Sequence, residues 1–257
     1  MPSDLYEKIV TFLPLSTWDF KNEETLNYAL GYLVKISRRY NKTIIQTLRA
    51  NVLNLLSLQK NSLPIMIMKT LPYQLVLASA SPRRAQLLKD AGFEFEVRVS
   101  HVDEVYPNDL KVNEIPLFLS KLKVASLVGG LATNELVIAA DTIVHLHGNV
   151  LNKPLNRDEA SLMLQKLAGQ KHEVITGVTL ATTSKSISFY DVTEVYFKKL
   201  SASQIDFYID HFKPYDKAGA YGIQEWIGMV GVEKINGSFY NVMGLPIHKV
   251  FEELQLF

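Results

Sequence analysis

The stretch LVLASASPRRAQLL, Leu75 to Leu88, is an apolar run that stops at a serine-rich corner and restarts behind a proline. Leu75 to Ala78 has the unbroken apolar character of a buried strand. Ser79, Ala80 and Ser81 interrupt it. Pro82, with its fixed φ and missing N–H, suits the first position of a helix for which Ser81 is the N-cap. Arg83 and Arg84 do not suit that position, because a helix N-terminus carries about half a positive charge and favours acids. An anion beside them resolves the conflict. A strand, a small-residue corner and a helix N-terminus together form a phosphate-binding arrangement, and guanidinium forks match phosphate oxygens. A solvated basic pair on an ordinary surface helix competes with this reading, and the stretch alone leaves both open.

Downstream, strands and helices alternate in the manner of an α/β domain. The helix after Pro82 is expected to end near Gly92, and Phe93 to Val99 reads as a strand with one wet face leading into Asp103 and Glu104. A helix from Ile115 to Val128 carries Lys121 and Lys123. Leu136 to Ala140 is a second buried strand, with Asp141 and Thr142 expected at its carboxyl end, the edge where ligands of open α/β sheets gather. Past Asn152, Lys153 and Pro154, Asn156 with Glu159 opens a helix that runs to Leu167. Glu173 to Ala181 and Ile187 to Phe197 read as neighbouring antiparallel strands. Ser201 with Gln204 is a capping box. A glycine-bearing loop from Asp216 to Glu225, a strand from Met229 to Ile235 and a helix after Pro246 complete the domain.

Upstream, residues 1–70 differ in character. They hold 9 lysines and arginines against 5 acids, whereas residues 71–257 hold 18 against 21. Leu26, Leu30, Leu33, Tyr40, Ile44, Leu48, Val52 and Leu55 follow helical spacing among Arg38, Arg39, Lys42 and Arg49, which predicts one or two amphipathic helices. A helical appendage and a basic surface for a partner or membrane face are the two readings. Ser62 to Pro72 reads as the linker.

The 257 residues are 47% hydrophobic and 21% charged, an ordinary globular balance. No apolar run reaches the length of a membrane span, and Asp4 and Glu7 stand where a signal peptide needs positive charge, so a cytosolic protein is expected. The absence of cysteine removes disulfides, thiolate catalysis and cysteine-ligated zinc, and no HExxH is present. Any metal must be held by oxygen. The mildly acidic bulk is a poor footprint for nucleic acid. Neither GxxxxGK[ST] nor GxGxxG occurs.

Asp141 is the strongest chemical candidate, since a carboxylate following a wholly apolar run loses hydration and needs a cation or a proton. Glu104, Lys123 and Lys153 each stand near an element end and could converge on it, offering carboxylates to a divalent metal and ammonium groups to phosphate. Taken singly they are equally ordinary surface residues. Gly219 and Gly222 could cradle a ligand with backbone amides.

Ser79-Ala80-Ser81-Pro82-Arg83-Arg84, Asp103-Glu104, Ala140-Asp141-Thr142, Lys153-Pro154, Thr193-Glu194-Val195, Gly219-Ala220-Tyr221-Gly222-Ile223-Gln224, Gly237-Ser238 and Asn241-Val242-Met243-Gly244-Leu245-Pro246 together resemble the Maf family of nucleoside triphosphate pyrophosphatases. The resemblance spans about Gln74 to Leu254 and leaves out residues 1–70. It implies an α/β fold of the inosine triphosphatase (Ham1) type: a mixed twisted sheet with flanking helices, two lobes and a central cleft. It also implies a homodimer and a divalent cation, Mg or Mn, held by Glu104 and Asp141. Carried over, Asp141 is the proton acceptor; Arg83, Thr142 and Gln224 mark the branch acting on dTTP and UTP; Ser79, Arg84, Lys123 and Lys153 complete the substrate pocket. Asn152 and Val124 depart from the family pattern, which has glycine and alanine there. The expectation is a helical extension over 1–70 and a pyrophosphatase domain over 71–257. It would act on a nucleoside triphosphate, with no nucleic-acid or membrane partner. A non-catalytic nucleotide-sensing or division-associated protein using the same pocket is the alternative.

Overall fold

The computed structural model describes residues 71–257. The helices expected within 1–70, and their role, lie outside the described residues. Seven strands form one mixed sheet in the order β2-β1-β3-β5-β6-β7, with β4 added to β3. They are β1 (Gln74–Leu77), β2 (Phe95–Val97), β3 (Glu135–Leu146), β4 (Asn149–Leu151), β5 (Lys171–Ala181), β6 (Ser186–Phe197) and β7 (Val232–Asn236). The helices are α1 (Pro82–Asp90), α2 (Glu114–Val128), α3 (Arg157–Leu167), α4 (Ala202–Phe212), α5 (Trp226–Gly231), α6 (Phe239–Met243) and α7 (Ile247–Leu256). Among the described residues no helix is long and apolar enough to cross a membrane.

The opening stretch folds as its residues dictate. β1 has three buried residues after Gln74, Pro82 takes the first turn of α1, and Ser81 is the extended N-cap. The Ser81 hydroxyl makes no capping bond; its own N–H is instead satisfied by Ser79 Oγ at 3.2 Å. Gly92 ends the helix turn with φ +85°, a conformation that costs glycine nothing. Asn156 caps α3 and the Ser201–Gln204 capping box opens α4, both as their spacing predicts.

Asp141 is not at a strand end. β3 runs on for 12 residues, and Asp141 pairs with Gly177 of β5 in mid-strand. The apolar run marks only the half of β3 that is covered on both sides. On the side away from β5, β1 pairs with β3 as far as Ile138, and β4 takes up that edge only from Val144. Between them the edge is open, and Asp141 and Thr142 sit in the gap. Strand alternation sends them to opposite faces. Val137, Ala139 and Ile143, which share Asp141's face, pack against Val124, Ile115 and Leu119 of α2. Val144, on Thr142's face, belongs to a larger core with Leu164, Leu167, Tyr208 and Ile209 of α3 and α4.

Gly177 decides how closely α2 approaches. A Cβ there would lie 2.4 Å from the backbone of Pro116 and Leu117, so the first turn of α2 rests directly on β5. Two turns later Lys123 reaches over β3. Val124, the departure from the family pattern on that helix, is buried against Val76, Ala78, Val137 and Ala139.

Two expected strands differ. Phe93 to Val99 shortens to the three residues of β2, an edge strand with Val97 exposed. Met229 to Ile235 splits, because α5 occupies Trp226–Gly231 and β7 begins only at Val232. A Cβ on Gly228 would fall 1.7 Å from the Ile223 carbonyl oxygen, so this glycine lets the chain coil tightly against the preceding loop where its apolar neighbours suggest extension.

Candidate active site

A cleft of about 590 Å³ opens at the gap in β3. Ser79, Arg83, Arg84, Glu104, Lys123, Asp141, Thr142, Lys153 and Gln224 all line it, as does Gly222 but not Gly219.

On the α2 face, Lys123 Nζ lies 2.6 Å from Asp141 Oδ1 and 2.8 Å from Glu104 Oε1. Lys123 is 8% exposed and Asp141 7%, which makes the ammonium the counter-ion that an enclosed carboxylate requires. Lys153 Nζ stands 3.6 Å from Glu104 Oε2. The expected convergence is therefore a chain: Asp141 touches Lys123, Lys123 touches Glu104, and Glu104 touches Lys153. Partial burial alone would raise the Glu104 carboxyl, but the hydrogen bond and charge of Lys123, with a smaller contribution from Lys153, hold it below the usual range.

On the other face Arg84 is clamped. Its Nε donates to the Gly244 carbonyl at 2.7 Å, one terminal nitrogen to Ser79 Oγ at 3.2 Å and the other to Thr142 Oγ1 at 3.0 Å. Burial lowers the affinity of this guanidinium for its proton, with the Asp141 charge opposing; arginine stays cationic nonetheless. Thr142 Oγ1 contacts Thr176 Oγ1 at 2.9 Å, and Thr176 donates to the Asn241 carbonyl at 3.1 Å. Asn241 in turn donates to the Val174 carbonyl and to Thr193 Oγ1, each at 3.0 Å. Thr193 and the Asn241-to-Pro246 segment thus hold Arg84 from behind. Arg83 points elsewhere, to Asp216 Oδ2 at 2.7 Å.

The glycine loop does not work as a cradle of amides. The Gly219 N–H donates to the Asn152 carbonyl at 3.2 Å and the Gly222 N–H to the Tyr208 hydroxyl at 3.0 Å, so both donors are spent. The φ of Gly219 is +68°, and a Cβ there would press on Val144 at about 3 Å. Asn152, which stands where the family pattern has glycine, is not among the residues of positive φ, so its backbone there does not require glycine. Sequence reasoning missed Lys217, Asp216, Glu225 and Tyr208. Lys217 Nζ bridges Asp216 at 2.7 Å and Glu225 at 3.1 Å; a lysine beside an acid in a loop reads as solvated, and only its burial reveals otherwise.

The geometry is a cleft with a buried carboxylate on one face, a clamped arginine on the other and further cations at the rim, an arrangement fitted to a polyanion and a proton acceptor together. Residues 74–257 match the family model for Maf-like protein. The dTTP/UTP pyrophosphatase of Cytophaga hutchinsonii is 56% identical over 181 residues, which cover 70% of this chain and 83% of that protein. The dTTP/UTP pyrophosphatase of Parabacteroides distasonis is 51% identical over 186 residues, 72% of this chain and 96% of that one. The solved structure of the Staphylococcus aureus Ham1 protein aligns with a TM-score of 0.39 and 13% identity, over 71% of this chain and 98% of that chain. With the family pattern running through nearly all the described residues, and relatives sharing half of theirs across the same span, the chain belongs to the Maf family.

Proposed function

We propose that the chain is a pyrophosphatase that hydrolyses dTTP and UTP between the α and β phosphates, giving the nucleoside monophosphate and pyrophosphate. The activity in the names of its relatives supports this. The observation that carries it is the enclosed Asp141 carboxylate, 2.6 Å from Lys123, in a cleft also lined by Arg83, Arg84 and Lys153. In this reading those four cations take the phosphate oxygens, with Ser79 and Thr142 fixing the Arg84 fork. Water attacks phosphorus, its proton passes to Asp141, and the bridging oxygen leaves with the pyrophosphate. Arg83 and Lys123 exchange acidic partners for phosphate oxygens, so neither is left unpaired before or after substrate enters.

Glu104 and Asp141 would hold a divalent cation, Mg or Mn. The donor set fits: two carboxylates on one cleft wall suit a hard ion that keeps water and takes its other oxygens from phosphate. Bound there, the ion would neutralise charge developing on the phosphates. Gln224, which also lines the cleft, offers a planar donor and acceptor to the edge of a base. We extend the proposal to a cytosolic homodimer on the family resemblance, with light scattering to read the assembly.

The test is a nucleotide panel with Mg and Mn, scoring phosphate after coupled inorganic pyrophosphatase. UTP and dTTP should be turned over faster than GTP and ATP, and Gln224→Glu should lower kcat/KM for UTP by about 1–3 kcal/mol of transition-state binding. No phosphate from any nucleotide would leave a binding protein instead. Equal rates on all four would remove Gln224 from base reading.

A further inference from the structure

Gln224 Nε2 donates to Glu225 Oε1 at 3.4 Å, and Glu225 is itself held from three sides. Lys217 Nζ lies 3.1 Å from the same oxygen, the Tyr208 hydroxyl makes a short bond to Oε2, and the backbone of Gly222 lies beneath. Tyr208 is fully buried in α4 and also accepts the Gly222 N–H. Burial, with the Glu225 carboxylate next, pushes the phenol well above its ordinary range, so it remains a donor. A Cβ on Gly222 would lie 2.8 Å from both Gln224 Nε2 and Glu225 Cδ. The missing side chain is therefore the space into which these two fold.

The chemistry of this contact is directional. A carboxylate accepts hydrogen bonds and donates none, whereas an amide has a donor end and an acceptor end. Glu225 must consequently face the NH₂ of Gln224. The second N–H and the carbonyl oxygen are left for the cleft in a fixed order. Uracil and thymine present the O4 acceptor beside the N3–H donor. Cytosine presents the N4 amino donor beside the N3 acceptor, the same pattern reversed. A glutamine free to turn its amide over pairs with either edge; one whose NH₂ is tied to a carboxylate pairs only with the first.

We infer that Glu225 is a positioning residue that locks the Gln224 amide and so makes the cleft select the uracil and thymine edge over the cytosine edge. The inference rests on the pyrophosphatase reading above and on Gln224 meeting the base.

The experiment compares kcat and KM for UTP and CTP in the full-length wild type, Glu225→Gln and Glu225→Ala, with GTP as reference and thermal melts of each protein. Glutamine at 225 keeps the length and an acceptor for Tyr208 but tolerates either end of the Gln224 amide. Wild type should favour UTP over CTP by about tenfold or more in kcat/KM, and in both variants the ratio should fall several-fold, chiefly through a lower KM for CTP. A general loss of packing would lower both substrates together and leave the ratio unmoved. Wild type turning over UTP and CTP equally, yet both faster than GTP, overturns the role of Glu225 and leaves the pyrophosphatase reading standing. An unchanged ratio in a folded Glu225→Gln overturns it as well. No turnover of any nucleotide overturns both. Should Glu225→Ala melt, the near-isosteric Glu225→Gln, which keeps an acceptor for Tyr208, still decides.

Discussion

Lys123→Met would leave Asp141 without the cation that shares its enclosure. The two side chains are each 10% exposed and 2.6 Å apart; removing one partner of such a pair costs about 3–5 kcal/mol, because the remaining charge is poorly solvated. Glu104, the second acid on Lys123, has a side chain 43% exposed, so water replaces the lost partner and it adds little. Methionine keeps most of the packing of the lysine stem, and the cleft admits water to one side of Asp141. The lower end, about 3 kcal/mol, is therefore the expected loss. For a unit of this size that corresponds to a fall in Tm of about 6–12 °C. Adding Asp141→Asn removes the stranded charge, so the double variant should be clearly more stable than the sum of the two single losses allows. Urea unfolding of wild type, both single variants and the double at pH 7 measures all four corners. A single-variant loss below about 1 kcal/mol, or strict additivity, would refute the account of Lys123 as the internal counter-ion.

Asp141→Asn should cut turnover by about 10² to 10⁴ while nucleotide affinity stays within a few-fold, since the shape survives and the base does not; near wild-type turnover would exclude Asp141 from the chemistry. A chain starting at Met66 should fold and hydrolyse nucleotide, because β1 begins at Gln74, and an insoluble or inactive product would contradict this. Acid should weaken the fold in two ranges. Burial holds the His172 imidazole down at about 3, so the unfolded chain binds that proton first, and stability is lost as pH falls from about 6.5 to 3. Glu135 and Glu194 are held at about 2 by hydrogen bonds led by Arg98 and Lys171, and their contribution goes between about 4.5 and 2. His172→Phe should flatten the upper range of unfolding free energy against pH, and an unaltered slope there would rule the histidine out.

Local chemistry was legible and edges were not. Pro82, Asn156 and the Ser201–Gln204 pair act within a turn of themselves, so their helices start where the residues require. The need of Asp141 for a cation followed from the apolar run before it, and Lys123 supplies one. Its mid-strand position was hidden because the open edge is set by where β1 stops and β4 starts, a property of two other segments. Lys217 and Glu225 were passed over for the same reason: nothing near them in sequence signals that Tyr208, from α4, closes the network around them. Glycine proved ambiguous. Gly219 and Gly222 suggested bare amides for a ligand, whereas the structure uses Gly222 as room for two side chains and Gly219 as a close fit on Val144.

The seating of α2 on Gly177 bears on how the cleft responds to a guest. Backbone meets backbone there, with no side chain between to bend or rotate, so the helix has little freedom to tilt or slide against the sheet. On the proposed reading Lys123 would therefore answer an arriving polyanion through its own four-carbon stem, trading carboxylates for phosphate oxygens by torsion alone. Rotations of that kind are faster than the microseconds to milliseconds of helix displacement. The anchored helix would thus remove one slow motion from the proposed cycle, and with it one way for the cation to be out of place.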